Sequence, residues 1–231
     1  MQKTIAVITA RGGSKRIPRK NIKEFAGRPM IAYAIEAALS SGCFADVLVS
    51  TDDGEIAEVS RSCGASVPFM RSAATSDDYS TTEDVLREVL ETCRARGEDY
   101  DRVCCVYPTA PFVTGDLLAE AYEKWVASGA DALVSVVAYG HPVQRLLVID
   151  EDRLHFKWPE NRMKRTQDLQ PCYHDAGQFY MIRTEALFRE KTLFPADTLP
   201  LVLPETRVQD IDTPEDWELA ELKYRFLHGE K

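Results

Sequence analysis

Over its first 140 residues the chain alternates short β-rich apolar runs with segments of helical spacing. T-I-A-V-I-T at Thr4 to Thr9 predicts a strand, and Met30 to Ser40 repeats its apolar residues as a helix does. Asp46 to Ser50 predicts a second strand, Asp53 to Cys63 a helix, and Ser66 to Phe69 a short strand. Thr81 to Arg96 places Val85, Leu86, Val89 and Leu90 on one helical face. Arg102 to Tyr107 is a continuous apolar run, the pattern of a strand covered on both faces. Thr114 to Ser128 then predicts a helix and Ala132 to Ala138 a strand. This alternation predicts an α/β fold: a mostly parallel, Rossmann-like sheet with helices on both faces.

The rhythm breaks after Ala138. Gln144 to Ile149 and Leu154 to Trp158 flank D-E-D-R and predict a hairpin, and Glu160 to Asp168 is polar. Residues 139–172 are therefore assigned to a projecting insertion within a single domain spanning 1–231. Phe179 to Ile182 returns to strand character. Thr213 as N-cap, Pro214 at the first helical position and acidic residues behind it predict a closing helix to about His228.

Charge and composition narrow the partners. A formal net charge of −9 argues against nucleic acid or an anionic membrane as the main partner. No apolar run reaches the ~20 residues of a membrane helix, and the first strand begins too early to leave room for a signal-peptide core. Six cysteines without a C-x-x-C pair point to buried thiols in a reduced, cytoplasmic setting. Cys104 and Cys105 are predicted to face opposite sides of one strand.

Against that acidic background, Ala10 to Asn21 reads A-R-G-G-S-K-R-I-P-R-K-N. Five cations stand in ten residues, directly after a first strand and beside Gly12 and Gly13. That suits a polyphosphate, with Arg11, Ser14 and Lys15 as candidate contacts. The loop matches neither a P-loop nor a dinucleotide fingerprint, and a solvated basic loop is the bland alternative. Near the other end, V-Q-D-I-D puts Asp210 and Asp212 on one side of an extended segment, with Ile211 facing the core. The pair suits Mg²⁺ beside a triphosphate; helix capping is the plain alternative. Arg165 to Tyr180 gathers Arg, Gln, His, Asp and two Tyr around a glycine, a polarity that argues against a buried strand. It suits an acidic sugar, or a hydrophilic loop before a strand; His174 alone is more often structural. Capping is the preferred reading for one of Ser80 and Thr81, and for Asp52 or Asp53. In open α/β sheets ligands lie beyond the C-terminal strand ends, so Arg11 to Lys15, Thr51 to Asp53, Arg71 and Thr109 should converge on one crevice.

In order, the glycine loop, S-T-D-D-G-E-I-A, Arg71 with D-Y-S-T-T-E-D-V, and Q-D-I-D-T-P-E-D-W resemble the acylneuraminate cytidylyltransferase family, the CMP-sugar synthetases. The resemblance spans nearly the whole chain and implies transfer of CMP from CTP to an acidic nine-carbon sugar. It implies that Arg11, Gly13, Ser14, Lys15, Lys20 and Asn21 bind the triphosphate and nucleoside. Arg71, Ser80 and Thr81 would hold cytosine, and Pro108 and Thr109 would border the ribose. Asp210 and Asp212 would bind Mg²⁺, and Asp212 is the candidate base. Lys20, Arg11 and Lys15 would stabilise the transition state and leaving group. Tyr107, Arg165, Gln167, Tyr173, His174 and Asp175 would face the sugar. Family members form homodimers through an extension like 139–172.

V-Y-P-T-A-P-F-V stands where sialic-acid-activating members carry L-Q-P-T-S-P-L-R, and H-D-A-G-Q-F-Y replaces N-G-A-I-Y. These departures resemble the pseudaminic acid branch; sialic, legionaminic and deoxy-octulosonic acids are the alternative substrates. A glycosyltransferase would carry its metal aspartates after a central strand, as Asp52 and Asp53 stand. A nucleotide-sensing module with a lapsed site is the non-enzymatic alternative.

Overall fold

In the computed structural model, which describes residues 2–229, β1 (Thr4–Thr9) is buried along almost its whole length. It leads through the glycine loop to a small ladder of β2 (Glu24–Phe25) with β3 (Arg28–Pro29), and then α1 (Met30–Ser40). Next come β4 (Asp46–Ser50), α2 (Gly54–Ser62), α3 (Thr82–Ala95), β5 (Arg102–Val106), α4 (Gly115–Ser128) and β6 (Ala132–Ala138). After the insertion's β7 (Leu147–Asp150) and β8 (Arg153–Phe156), the chain returns through β9 (Tyr173–Arg183), α5 (Thr184–Glu190), β10 (Thr198–Leu203) and α6 (Pro214–His228).

The main sheet has the order β10-β6-β9-β5-β1-β4. β1 pairs in parallel with β4 and β5, and β10 with β6; β9 alone runs antiparallel to both its neighbours. Five strands thus end at the same edge, where a ligand crevice belongs. Side chains alternate across the sheet. Cys104 joins the layer containing Ile31 and Ile35 of α1 and Trp125 of α4. Cys105 joins the opposite layer, with Leu86 of α3 and Leu187 of α5. Burial pushes the Cys105 thiol up to about 12, and all six cysteines are free.

A third cluster joins the two ends of the chain. Ile17 of the glycine loop, Phe25, Met30 and Tyr33 pack with Ile211, Trp217 and Ala220. Phe25 meets Tyr33, Trp217 and Tyr224 edge-on at 5.5–5.7 Å between ring centroids. Edge-to-face pairs of this kind add to the burial of the rings themselves.

The structure corrects three expectations. Ser66 to Phe69 is not a strand: Ser66 makes a single bridge to Leu48, since the chain turns away toward Arg71. The polar stretch up to Tyr180 belongs to a strand from Tyr173 onward; its polar residues Tyr173 to Asp175 lie at the exposed end, and burial begins at Ala176. α5 and β10, in a region where the sequence pattern predicts no element, flank a left-handed Lys191 and add the sheet's edge strand. The insertion leaves after Ala138 and returns at Tyr173, its paired residue. Its hairpin turns at Glu151 and Asp152, both at positive φ, and forms a separate two-stranded sheet. Among the described residues no helix is long and apolar enough to cross a membrane.

Candidate active site

The loop after β1 enters the site against a tight constraint. A Cβ on Gly12 would lie 2.8 Å from Asp53 Oδ2 and 2.9 Å from Asp53 Cβ, so only glycine fits. The Gly12 N–H donates to Asp52 Oδ1 at 2.9 Å. Asp53 caps α2 by accepting from the Ile56 N–H at 3.0 Å, and it receives both terminal nitrogens of Arg19, at 2.5 and 3.0 Å. The Arg19 guanidinium, with the capping N–H, holds the Asp53 carboxyl down at about 2. Arg19 also bonds Glu55. Arg19, Asp52 and Asp53 therefore brace the loop from outside the crevice, and the predicted convergence fails for the whole of Thr51 to Asp53, Thr51 being buried beneath it.

The remaining predicted groups do converge. A cavity of about 550 Å³ is lined by Arg11, Ser14, Lys15, Arg16, Lys20 and Asn21, by Arg71, Ser80 and Thr81, by Tyr107 to Thr109, and by Asp212. Gly13 is exposed beside it and does not line it. Buried Asn21 donates to the Arg11 carbonyl at 2.9 Å and so fixes the loop's curvature. Arg71 is buried; its Nε donates to Ser50 Oγ at 3.0 Å and its other arm to the Ser50 carbonyl at 2.5 Å. Burial lowers the Arg71 pKa. Thr81 is the N-cap of α3 in a reciprocal capping box with Asp84, so this member of the Ser80/Thr81 pair is committed to the helix end. The Ser80 hydroxyl turns to Asp77 at 2.6 Å.

Two contacts carry the crevice from one end of the chain to the other. Lys20 Nζ donates to the Ile211 carbonyl at 2.5 Å and stands 3.3 Å from Asp212 Oδ1; Arg16 pairs with Asp212 Oδ2 at 2.8 Å. Neither Asp210 nor Asp212 uses its carboxylate to cap α6. Thr213 and Asp216 do that between themselves, Asp216 also taking the Asp212 N–H. Lys223 of α6 fastens the preceding segment through the Val208 carbonyl at 2.7 Å and Gln209 Oε1 at 3.0 Å.

Among the described residues the Asp210 carboxylate has no hydrogen-bond or ion-pair partner. Desolvation first, and the neighbouring Asp212 second, raise its pKa above the usual carboxylate value, although the residue as a whole is exposed. An acid in that state fits a hard divalent cation, which would relieve both penalties. One or two carboxylates completed by substrate phosphates form a Mg²⁺ site.

A second cavity of about 590 Å³ adjoins the first, sharing Asp212; His174, Asp175, Asp210 and Glu205 also line it. The Tyr107 hydroxyl meets Thr82 Oγ1 at 3.2 Å. The predicted sugar residues divide. Tyr107 is at the first cavity and His174 and Asp175 at the second, with Tyr173 beside His174. Arg165 and Gln167 lie in the insertion and line neither; Arg165 pairs with Asp168 at 2.9 Å. Sequence reading missed Arg16 as the partner of Asp212. It also missed Asp78, which pairs with Arg11 at 2.9 Å and Lys15 at 2.5 Å across the crevice. Arg16 lay in the cation run; nothing local marked Asp78.

Comparison with known proteins fits this geometry. The family model described as Cytidylyltransferase matches residues 5–203. A pseudaminic acid cytidylyltransferase of Campylobacter jejuni is 42% identical over 227 residues, covering 98% of each chain. A CMP-N,N'-diacetyllegionaminic acid synthase of Legionella pneumophila is 35% identical over 224 residues, covering 94% of each. A solved structure of CMP:2-keto-3-deoxy-manno-octonic acid synthetase complexed with CTP superposes with a TM-score of 0.69 at 18% identity. It covers 99% of this chain and 100% of its own, a likeness of fold.

Proposed function

The chain belongs to the cytidylyltransferase family, and from that premise we propose that it transfers CMP from CTP to pseudaminic acid, releasing pyrophosphate. One observation carries the reading: Lys20 and Arg16 of the glycine loop meet Asp212 across nearly the full length of the chain. Nucleotidyl transfer needs phosphate-binding cations and a carboxylate pair at one point, and here separate ends of the sequence supply them.

In the proposed mechanism Arg11, Ser14 and Lys15 bind the triphosphate, exchanging the contacts of the two cations with Asp78 for phosphate oxygens. Arg71 and Ser80 hold the base, while Pro108 and Thr109 border the ribose. Asp210 and Asp212 would hold Mg²⁺, which supplies charge neutralisation at the phosphates and a lowered pKa for an oxygen it binds. The anomeric hydroxyl of the sugar attacks the α-phosphorus in line, and Asp212 accepts its proton. Lys20, anchored by the Ile211 carbonyl, faces the charge that grows on the α-phosphate. Being fixed beforehand, it costs no reorganisation during transfer.

The family relationship, and the absence of Arg165 and Gln167 from the lining of both cavities, support a homodimer in which these insertion residues serve the partner's sugar site. The hairpin supports this as well: Ile149 is paired with Leu154, 76% and 64% exposed, an apolar face larger than a lone hairpin needs to show. The six free thiols suit a reducing compartment, and a cytoplasmic setting completes the reading.

The test is pyrophosphate release from CTP and Mg²⁺ with pseudaminic, legionaminic, sialic and deoxy-octulosonic acids in parallel. A preference for pseudaminic acid is expected. A clear preference for another sugar changes the substrate assignment, and no pyrophosphate with any of them overturns the enzymatic reading.

A further inference from the structure

β9 is interrupted by a wide bulge. Tyr180 pairs with Val134 of β6, yet Asp175, five residues earlier, pairs with Val136, only two residues further on. Three extra residues of β9 are looped out, with Gly177 at φ +60. The loop is built rather than slack. Buried Ser135 donates to the Phe179 carbonyl at 3.0 Å and accepts from the Phe179 N–H at 3.3 Å. The Gln178 amide, wholly buried, donates to the Ala176 and Gly177 carbonyls at 3.0 and 3.1 Å. Bulges of this kind re-aim side chains and recur beside active sites.

What this bulge re-aims is Asp175. Folding back over Tyr180, it accepts the Tyr180 hydroxyl on Oδ2 at 2.6 Å and the Gly177 N–H on Oδ1 at 2.9 Å. Tyr180 is almost completely buried, and its ring stands 5.3 Å from that of Tyr107, which lines the nucleotide crevice. The Tyr180 phenol is pushed further from ionisation by burial, so it stays a donor throughout the working pH range. Asp175 itself is exposed to the second cavity. Fixed from behind by two donors, it offers its remaining lone pairs outward.

We infer that Tyr180 is a positioning residue for sugar selection, holding Asp175 as an acceptor for a hydroxyl or acylamino N–H donor on the sugar. This deepens the proposed reaction and rests on it. An ionised carboxylate only accepts hydrogen bonds, and Asp210, Asp212 and Glu205 share its cavity. The sugar therefore turns a hydroxyl or acylamino N–H toward Asp175.

The test is a double-mutant cycle of Tyr180→Phe and Asp175→Asn, with KM for the sugar, KM for CTP and thermal stability measured for each variant. Losing one oriented hydrogen bond should raise the sugar KM roughly five- to tenfold in each single variant. The double variant should be no worse than Asp175→Asn alone, and KM for CTP should stay within about twofold. Additive effects of the two substitutions overturn the inference. So does a Tyr180→Phe variant that changes stability or KM for CTP while leaving the sugar KM unchanged. A wild-type chain that releases no pyrophosphate with any acidic sugar sinks the proposed reaction instead; turnover with additive substitutions sinks only this inference.

Discussion

Asp53 and Asp210 look alike in the sequence: each belongs to a pair of aspartates just before a helix. Their surroundings are opposite. Asp53 is saturated by the Arg19 guanidinium and the capping Ile56 N–H, and its pKa falls to about 2. Asp210 has no partner among the described residues, and its pKa rises as desolvation and Asp212 crowd its charge. A carboxylate whose hydrogen bonds are all met by the protein is a brace; one left unmet at a cavity wall is available to a ligand. The first adds stability and the second forgoes it.

The strongest way to break this contrast is at the proposed site. Replacing Asp212 by Ala should lower kcat roughly 100- to 1,000-fold, with the far-ultraviolet circular dichroism spectrum unchanged. Near-normal turnover would remove the aspartate pair from the mechanism. At the brace, Asp53→Ala should cost about 2 kcal/mol in denaturant unfolding, through the lost cap and the lost Arg19 pair. The sign of its pH dependence follows from a depressed carboxylate: the stabilisation is full above the unfolded pKa near 4 and fades as pH falls toward 2. The wild-type and Asp53→Ala stabilities should therefore converge in acid, and a gap that holds constant down to pH 2 would contradict the assignment. Gly12→Ala, whose Cβ would press on Asp53, should cost about 1 kcal/mol or more by the same unfolding measurement. The smallest effect on stability has the opposite sign. Asp210→Asn removes an unpaired, crowded charge and should stabilise the ligand-free protein by roughly 0.5 kcal/mol while abolishing most turnover. A loss of stability would mean that Asp210 has a structural partner after all.

Much of the fold was open to reading because its signals are local. β1, α1, β4 and β6 have the boundaries their apolar spacing predicts, and α3 and α6 start where their capping residues say. The short run at Ser66 misled, because apolar residues near a sheet edge pair only if the chain stays beside it. β9 was half hidden: its polar end is exposed, so the alternation that marks a strand begins only inside the core. The site was legible as three separate clusters. Their grouping was not, and neither was the placing of Arg165 and Gln167 away from both cavities.

By itself, then, the sequence determined the alternating strands and helices, their caps, and a cation-rich glycine loop at one end with an aspartate pair at the other. Periodicity, capping and charge density are properties of neighbouring residues. Only the tertiary structure decided which aspartates are satisfied, which cations are spent on them, and that a bulge held by Ser135 and Gln178 turns Asp175 toward the cavity. Those outcomes depend on partners up to 192 positions apart. They meet because the cluster around Phe25, Ile211 and Trp217 buries both ends of the chain in one place.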